Sequence, residues 1–318
     1  MNALRAIWFI LSVALSASAA AQYPTKPVRL IVPFSAGSGA DLSGRSVAGA
    51  LSQTFGQQVL VENRAGADGQ IAALEIKRSA PDGYTLFWGS ASSLSAVPAL
   101  RKVAPYDTVA DFTPLALLGH FTFILCTHPS VPAATARELV AHLRANPGKL
   151  NYGGASMSSI IFMASLLAHT KTEMLLIPYK SEVNALPDLL SGALHAMFIS
   201  PAVATAPLRE GKLRAFATAL SQRSALAPEV PTLPEAGYPL PSVSSWAGFF
   251  APAGLPDDLA HRLALDINAA LARADVREQH DRLGIMIRIL PREQFAAFVK
   301  EQIVAWRDAI RAAKIPQE

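Results

Sequence analysis

Short apolar runs alternate with longer amphipathic segments along most of the chain. The runs have the length of buried strands, and the amphipathic segments have the spacing of helices with one apolar face. In chain order, the predicted strand–helix pairs are 28–32 with 41–51, 58–61 with 69–78, 121–126 with 134–145, 150–152 with 158–169, 175–178 with 183–191 and 196–199 with 202–210, while 85–88 and 214–219 add two strands. This alternation predicts an α/β protein whose parallel sheets are covered by helices.

Two segments about half a chain apart repeat one pattern. Residues 123–132 and 248–256 each read as a strand and a proline-containing turn, followed by helices near Ala134 and Asp257. We expect two similar lobes with these strands crossing between them; two ordinary strand–helix units are the alternative. The stretch 291–313 has helical spacing, which predicts an amphipathic helix packed on a lobe through Phe295, Phe298, Val299, Ile303, Trp306 and Ile310.

The N-terminus has the pattern of a secretory signal peptide. Arg5 precedes an apolar core at 7–15, and Ala-Ala-Ala at 19–21 forms an A-x-A-type cleavage site. The core is too short to span a bilayer. Pro24 breaks the chain directly afterwards, which argues against the alternative of a buried first helix. We expect cleavage after Ala21 and export to the periplasm.

Composition narrows the functional classes. Removal of the first 21 of 318 residues leaves 297, enough for one large domain or two lobes of about 150 residues. The net charge is +4 without a cluster of five basic residues, so nucleic acid is not an expected partner. The one cysteine, Cys126, lies in an apolar run and is expected to be a buried structural thiol. No His or Cys pair has metal-ligand spacing, so neither a metal nor another cofactor is predicted.

The most informative polar feature is the turn after the first strand. Residues 33–41 are mostly small, with Gly37 and Gly39 inside the turn and Asp41 opening the predicted helix. Such a turn presents unpaired backbone N–H groups and the positive end of a helix dipole, which together favour an anion. The sequence therefore predicts a carboxylate- or phosphate-binding loop.

Known nucleotide-binding and catalytic motifs are incomplete. Leu42 stands where a dinucleotide fingerprint starting at Gly37 needs its third glycine, and no phosphate-loop motif occurs. Residues 88–92 come nearest to a G-x-S-x-G elbow but lack its second glycine. Asp41 is either a catalytic carboxylate or a first-turn residue favoured by the helix dipole. An enzyme therefore ranks below a binding protein.

Two further loops rich in Ser and Gly resemble the first. Residues 150–159 run from a predicted strand into a predicted helix, and residues 89–93 follow a predicted strand. Ligands of α/β sheets bind beyond the carboxyl ends of strands. We interpret the three loops as a hydrogen-bonding cleft without a catalytic constellation. Ordinary turns that cap helices are the alternative.

The chain resembles the Bug family of periplasmic solute-binding proteins, the extracytoplasmic receptors associated with tripartite tricarboxylate transporters. The resemblance covers nearly all of the sequence after residue 21 and rests on the order and spacing of many motifs. These are Tyr-Pro-Thr-Lys-Pro at 23–27, Ile-Val-Pro-Phe at 31–34 with Gly37 and Asp41, Val-Glu-Asn-Arg at 61–64 with Gly66 and Gly69, and the segments 81–86, 106–107 with 111–112, 147–150 with 152–153, 178–180, 211–215, 231–232 with 235–237, and 245–246 with 251–254.

The resemblance implies a type II periplasmic-binding-protein fold, an α/β Venus flytrap of two lobes with two crossover strands. We expect residues 22–122 and 246–318 to form lobe I, and residues 123–245 to form lobe II, with a small organic carboxylate between them. The implied ligand-binding residues of lobe I are Phe34, Ser35, Ala36, Gly37, Ser38, Gly39, Ala40 and Asp41, with Ser90 and Ser92. Those of lobe II are Gly154, Ala155, Ser156, Met157, Ser158 and Ser159, with Ile199 and Ser200.

Several positions depart from the family pattern. Ile199 stands where the family often has an aspartate that can pair with a ligand amino group, and Met157 replaces a small or amide residue. Lys180-Ser181-Glu182 lacks the common glycine, Leu194-His195 replaces Val-Asp, and residues 38–40 read Ser-Gly-Ala instead of Gly-Ala-Thr. We therefore expect a carboxylate without an amino group, whose apolar or aromatic body contacts Phe34 and Met157.

The expected protein is a monomeric periplasmic receptor and not an enzyme. Its expected partners are the carboxylate and the membrane subunits of a tripartite tricarboxylate transporter. A receptor that docks on the ectodomain of a sensor kinase is the alternative, because both roles need the same two-lobed fold. Neighbouring genes for two membrane subunits would favour transport, whereas genes for a two-component pair would favour sensing.

Overall fold

A computed structural model describes residues 23–220, 222–224, 226–239 and 243–317, and the predicted signal peptide at 1–21 lies outside them. The strands are β1 (Val28–Val32), β2 (Val59–Asn63), β3 (Thr85–Ser90), β4 (Phe112–Phe121), β5 (Ile124–Thr127), β6 (Asn151–Gly154), β7 (Leu175–Pro178), β8 (Ala196–Ile199), β9 (Arg214–Thr218), β10 (Trp246–Pro252) and β11 (Ile285–Ile287). The α-helices are α1 (Gly39–Phe55), α2 (Gln70–Arg78), α3 (Val97–Leu100), α4 (Ala136–Ala145), α5 (Met157–Thr170), α6 (Glu182–Ser191), α7 (Pro201–Arg209), α8 (Asp257–Ala272), α9 (Ala274–Arg282) and α10 (Arg292–Ala312). None of the described helices combines the length and apolar character that crossing a membrane requires.

The strands form two sheets, as the predicted two-lobed α/β fold requires. The first has the order β11-β4-β10-β3-β1-β2, and the second has the order β7-β6-β8-β5-β9. β1 pairs in parallel with β2 and β3, and β6 pairs in parallel with β7 and β8. Each sheet therefore contains the same three-strand unit, in which the first strand of the unit lies between the other two.

The chain passes between the sheets twice, and the two passages lie side by side. β4 is the last strand of sheet one before the chain enters sheet two. The chain re-enters sheet one at β10, after β9. The Phe121 N–H donates to the Ser245 carbonyl at 2.8 Å, which ties one passage to the other. β5 and β10 each begin directly after a passage, and each leads through a proline-containing turn into a helix, as the repeated sequence pattern predicts.

The prediction of one strand over residues 121–126 was wrong. β4 ends at Phe121 in the first sheet and β5 starts at Ile124 in the second. The upstream part of β4 was missed because Pro114 and Gly119 interrupt its apolar run. In the structure, register shifts in the pairing of β10 with β4 accommodate these breaks.

The apolar core is continuous across the two sheets. Phe123 and Phe162 pack edge to face at 5.7 Å, and Phe162 packs on Phe198 at 5.8 Å. The same cluster of buried residues continues into β10 and the C-terminal helix α10. Helix α10 has the predicted apolar stripe, and four residues of the stripe are buried: Phe295, Val299, Trp306 and Ile310. Cys126 is buried in β5, and burial raises the pKa of its thiol.

Candidate functional site

Each sheet has a point where successive connections leave in opposite directions. The chain goes from β1 through α1 to β2 on one side, and then through α2 to β3 on the other side of β1. β6, β7 and β8 repeat this arrangement in the second sheet. Ligands of open α/β sheets bind beyond the carboxyl ends of strands at such points. The predicted site residues lie at or directly after the carboxyl ends of β1 and β3 in the first sheet, and of β6 and β8 in the second.

Asp41 anchors the loop between β1 and α1. Its carboxylate accepts hydrogen bonds from the Gly37 N–H at 2.9 Å, Arg45 Nε at 3.0 Å and Asn63 Nδ2 at 2.9 Å. Asn63 Nδ2 also donates to the Phe34 carbonyl at 2.9 Å. Asp41 is 2% exposed. The side chain therefore positions the loop from inside the protein, and a direct contact between Asp41 and a ligand stays a prediction from the resemblance.

Burial by itself would raise the pKa of Asp41, but hydrogen bonds to its carboxylate outweigh that effect. Donation from Arg45, the Gly37 N–H and Asn63 lowers the pKa below the ordinary value. Asp41 is thus an ionised residue of the first helical turn, where the helix dipole also favours a negative charge.

The start of α1 leaves an open edge of backbone donors. Ser38 is the N-cap and its hydroxyl accepts from the Asp41 N–H. In the described part of the chain, the N–H groups of Gly39 and Ala40 donate to no other residue. A Cβ placed on Gly39 would meet no atom within 4 Å, so space is open beside this edge. Among the predicted residues, Ser35, Ala36, Gly37 and Gly39 are exposed, while Ala40 is buried.

Ser90 and Ser92 lie at the end of β3, but the predicted loop there is a continuous strand-to-helix transition. The chain enters a π-helical turn at Ser92–Ala96 and then α3. Ser90 is buried, and its N–H donates to Ser93 Oγ at 3.0 Å, whereas Ser92 is half-buried. The Ser90 hydroxyl also accepts from the Ser93 N–H at 3.4 Å, so Ser90 bonds within the transition, which is close to the alternative interpretation of these serines as helix caps.

A third segment of lobe I, missed from the sequence, joins these loops. The 3-10 turn Ala67–Gly69 follows β2, and Gly66 and Gly69 have positive φ angles. A Cβ on Gly69 would lie 2.8 Å from Ser93 Cβ and 3.0 Å from Pro33 Cβ. The turns after β1, β2 and β3 are therefore in contact, and the absence of a side chain at position 69 permits that contact.

The start of α5 repeats this design in the second sheet. Ser156 and Ser159 form a capping box: the Ser159 N–H donates to Ser156 Oγ at 3.2 Å, and the Ser156 N–H donates to Ser159 Oγ at 3.2 Å. The N–H groups of Met157 and Ser158 donate to no other described residue. Ser158 Oγ donates to Ser245 Oγ at 3.2 Å, so this turn touches a passage between the sheets. The turn is thus a second edge of backbone donors.

Two neighbouring predicted residues serve packing in this structure. A Cβ on Gly154 would lie 2.6 Å from Ile160 and 2.7 Å from Leu176, so only glycine fits there. Ile199 is 0% exposed and belongs to the apolar cluster that includes Ile124 and Cys126. The expectation that the Ile199 side chain lines a cleft therefore needs correction: side chains alternate along β8, and this position points into the core. Ala155 is half-buried over the same cluster.

Glu182 is a polar group that the sequence did not predict as a site residue. It is the first residue of α6, after β7, and it is half-buried. Its carboxylate accepts from the Ser200 N–H at 3.1 Å and from Ser200 Oγ at 2.5 Å. Burial raises its pKa, and the bonds from Ser200 only partly oppose that effect. The order β7-β6-β8 accounts for this pairing, because it brings the ends of β7 and β8 to the same edge.

One serine–histidine pair has catalytic residue types but no access to a substrate. Ser43 Oγ lies 2.9 Å from His280 Nε2, Trp88 Nε1 donates to Ser43 Oγ at 3.3 Å, and His280 Nδ1 lies 2.7 Å from the Val276 carbonyl. Ser43 and His280 are both 0% exposed. Burial lowers the pKa of His280, which favours the neutral ring. This network ties α1 to α9 and β3.

Comparison with known proteins identifies the family. The family model described as "Tripartite tricarboxylate transporter family receptor" matches residues 44–315. The chain belongs to the tripartite tricarboxylate transporter receptor family. Protein BugT of Bordetella pertussis is 33% identical over 307 residues, which cover 95% of this chain and 94% of BugT. The resemblance to Bug proteins is therefore confirmed.

Solved structures of similar proteins share the fold of this receptor-family member. R. palustris Rpa4515 with adipate is 26% identical and superposes with a TM-score of 0.84, covering 92% of this chain and 99% of that chain. MatC from Rhodopseudomonas palustris with bound malate is 31% identical and superposes with a TM-score of 0.79, covering 91% of this chain and 100% of that chain. The family and the fold are those of periplasmic solute-binding proteins.

Proposed function

We propose that this protein is a periplasmic receptor that captures a small organic carboxylate between two lobes and delivers it to a tripartite tricarboxylate-type transporter. Lobe I comprises residues 22–122 and 246–318, and lobe II comprises residues 123–245. The observation that carries the proposal is the pair of backbone-donor edges at Gly39–Ala40 and Met157–Ser158, whose N–H groups donate to no other described residue. Each edge is the start of a helix of at least 14 residues. Each of these helices follows the strand from which successive connections leave in opposite directions.

Two helix N-termini explain how a carboxylate is held without a charged side chain. Unpaired N–H groups of a first helical turn, together with the positive end of the helix dipole, bind anionic oxygens. A ligand that contacts α1 on one side and α5 on the other stabilises the arrangement in which both edges meet it. Ligand binding therefore selects a closed state, and no covalent step is required.

The body of the acid is expected to contact Phe34 and Met157. Phe34 is half-buried and packs edge to face on Trp88 at 6.1 Å between ring centres, and Met157 is half-buried over the shared core. The similar structures Rpa4515 and MatC hold adipate and malate, which are small carboxylates without an amino group. The sequence also favoured an acid without an amino group because residue 199 is not acidic. Ile199 is buried, and an acid, Glu182, lies beside Ser200. Residue 199 therefore does not decide whether the ligand carries an amino group.

The test is Gly39→Leu, compared with Gly49→Leu in the same helix. A Cβ meets no atom within 4 Å at either position, and neither glycine has a positive φ, so both variants are expected to fold. Thermal unfolding is followed with adipate, malate, succinate, benzoate, L-aspartate and L-glutamate as probes. A probe at a hundredfold excess over its Kd stabilises the wild type by about 2.7 kcal/mol. The stabilisation should survive in Gly49→Leu and disappear in Gly39→Leu.

Ser156→Leu provides an independent test at the second edge. It removes the N-cap, which costs about 1 kcal/mol on its own, and it places a bulky side chain beside Met157. Probe-induced stabilisation should again be lost, and circular dichroism should report a folded protein. Unchanged stabilisation in both Gly39→Leu and Ser156→Leu would locate the binding site elsewhere and overturn the proposal.

A further inference from the structure

Glu182 is an acid without a cationic partner. Its two oxygens accept hydrogen bonds from the backbone and hydroxyl of Ser200, a pattern that suits an ionised carboxylate. No basic side chain of the described residues forms an ion pair with it, and burial is the main influence on its pKa. The internal positions outside the described ranges are Ser221, Ala225, Leu240, Pro241 and Ser242, which carry no charge. The protein itself therefore leaves this charge uncompensated.

The carboxylate lies at the edge of sheet two that faces lobe I. Pro201, the residue after Ser200, approaches the first lobe: a Cβ on Gly284 would be 3.2 Å from the Pro201 ring. β8 is the direct neighbour of β6, whose end leads to the open edge at Met157 and Ser158. Glu182 is half-buried, and burial raises the pKa of its carboxyl group. It therefore stands beside the proposed anion edge and not on the outer surface.

We propose that Glu182 determines specificity by binding an ammonium group of the ligand, so that the preferred solute is a small carboxylate that also carries a protonated amine. This inference rests on the proposed function. A desolvated carboxylate is costly unless an opposite charge pairs with it, and in a closed cleft only the ligand can supply that charge. The edges of α1 and α5 would hold the carboxylate, and Glu182, fixed by Ser200, would hold the ammonium group.

The test uses pairs of acids that differ only in one amino group. The probes are succinate with L-aspartate, glutarate with L-glutamate, and adipate with L-2-aminoadipate, titrated calorimetrically into the mature protein. Glu182→Gln keeps the shape and the acceptor for Ser200 but removes the charge. Glu173→Gln is the matched control, because Glu173 is an exposed acid of the same lobe.

The wild type and Glu173→Gln should bind at least one amine-bearing acid about tenfold or more tightly than its unsubstituted partner. Glu182→Gln should reduce that preference to about twofold or less while remaining folded, since it removes a desolvated charge. If Glu182→Gln fails to fold, the preference of the wild type within each pair still tests the proposal.

Two results would overturn this inference and leave the proposed function intact. The first is that the wild type binds the unsubstituted acids as tightly as their amine-bearing partners. A neutral Glu182 that donates a hydrogen bond to a ligand carboxylate would produce this result. The other is an amine preference that Glu182→Gln does not change. A wild type that binds no acid of either class would overturn the proposed function as well.

Discussion

Asp41 and Glu182 are two acids of the candidate cleft, and their surroundings shift the pKa values of the two carboxyl groups in opposite directions. Burial disfavours the charge of both. Arg45 and a backbone N–H donate to Asp41 and lower its pKa, whereas only Ser200 donates to Glu182, whose pKa is raised. Asp41 therefore stabilises the protein's own loop, whereas no cationic side chain of the described residues stabilises the charge of Glu182.

Asp41→Asn tests the first of these roles. Loss of the charge weakens the hydrogen bonds from Gly37 and Arg45 and should lower the free energy of unfolding by about 1–3 kcal/mol at pH 7. Because the pKa is lower in the folded state, the stabilisation is complete above the unfolded value of about 3.9 and is lost as the pH falls through the folded value. Urea denaturation at several pH values measures both effects.

The stability difference between wild type and Asp41→Asn should be constant from about pH 7 to pH 5 and should shrink below about pH 4. Glu173→Gln, an exposed substitution, serves as the reference. A difference that persists undiminished to about pH 2 would show that the charge of Asp41 does not support the loop.

At the scale of elements, close backbone approach determines where β4 can lie. Gly119 of β4 pairs with β11 and has a φ of 150°. A Cβ there would lie 2.0 Å from the Met286 carbonyl oxygen, so no side chain fits. β4 joins β10 and β11 in sheet one and ends where the chain passes to sheet two. The position of this passage thus depends on one glycine.

Gly119→Ala is expected to destabilise the protein by about 3 kcal/mol or more, because both the φ angle and the clash with Met286 oppose the side chain. Thermal or urea unfolding measures the change. Gly49→Ala is the control, since Gly49 is exposed inside α1 with no atom within 4 Å of an added Cβ. It should stabilise the protein by about 0.5–1 kcal/mol. Equal effects of the two changes would contradict this account of β4.

At the scale of the whole molecule, the two sheets share one apolar cluster. Phe162 of α5 packs between Phe123 and Phe198, and the cluster continues to Trp246 in sheet one. If the proposed receptor closes on its ligand, we expect a limited movement about the paired passages at Phe121 and Ser245, because the lobes share a core. The shared core also predicts that the lobes unfold together.

Phe162→Ala tests this coupling and should lower the free energy of unfolding by about 3–5 kcal/mol. The described tryptophans Trp88, Trp246 and Trp306 report on sheet one and α10, and Cys126 reports on sheet two. Tryptophan fluorescence and the reactivity of the thiol should change at the same urea concentration, and both midpoints should shift together in the variant. Two separate midpoints in the wild type would show that the lobes unfold independently.

Local patterns predicted several elements closely. β1, β7 and β8 have the predicted bounds, because each is a short apolar run bounded by turn residues. The caps at Ser38 and Ser156 follow from small hydroxylic residues before helical segments. β4 was not predicted over its full length, since its strand character comes from pairing with β10 and not from its own sequence. Glu182 was not predicted as a site residue, because its pairing with Ser200 depends on the strand order β7-β6-β8.

The sequence by itself determined the α/β class, the donor-rich turns after β1 and β6, and the membership of the family, because these depend on local spacing and on the order of motifs. Only the tertiary structure decided which of these side chains are buried and which polar groups meet. Strand order brought Glu182 to Ser200, and the pleat of β8 turned Ile199 into the core. The physical reason is that periodicity defines two faces of a strand, whereas long-range pairing decides what each face meets.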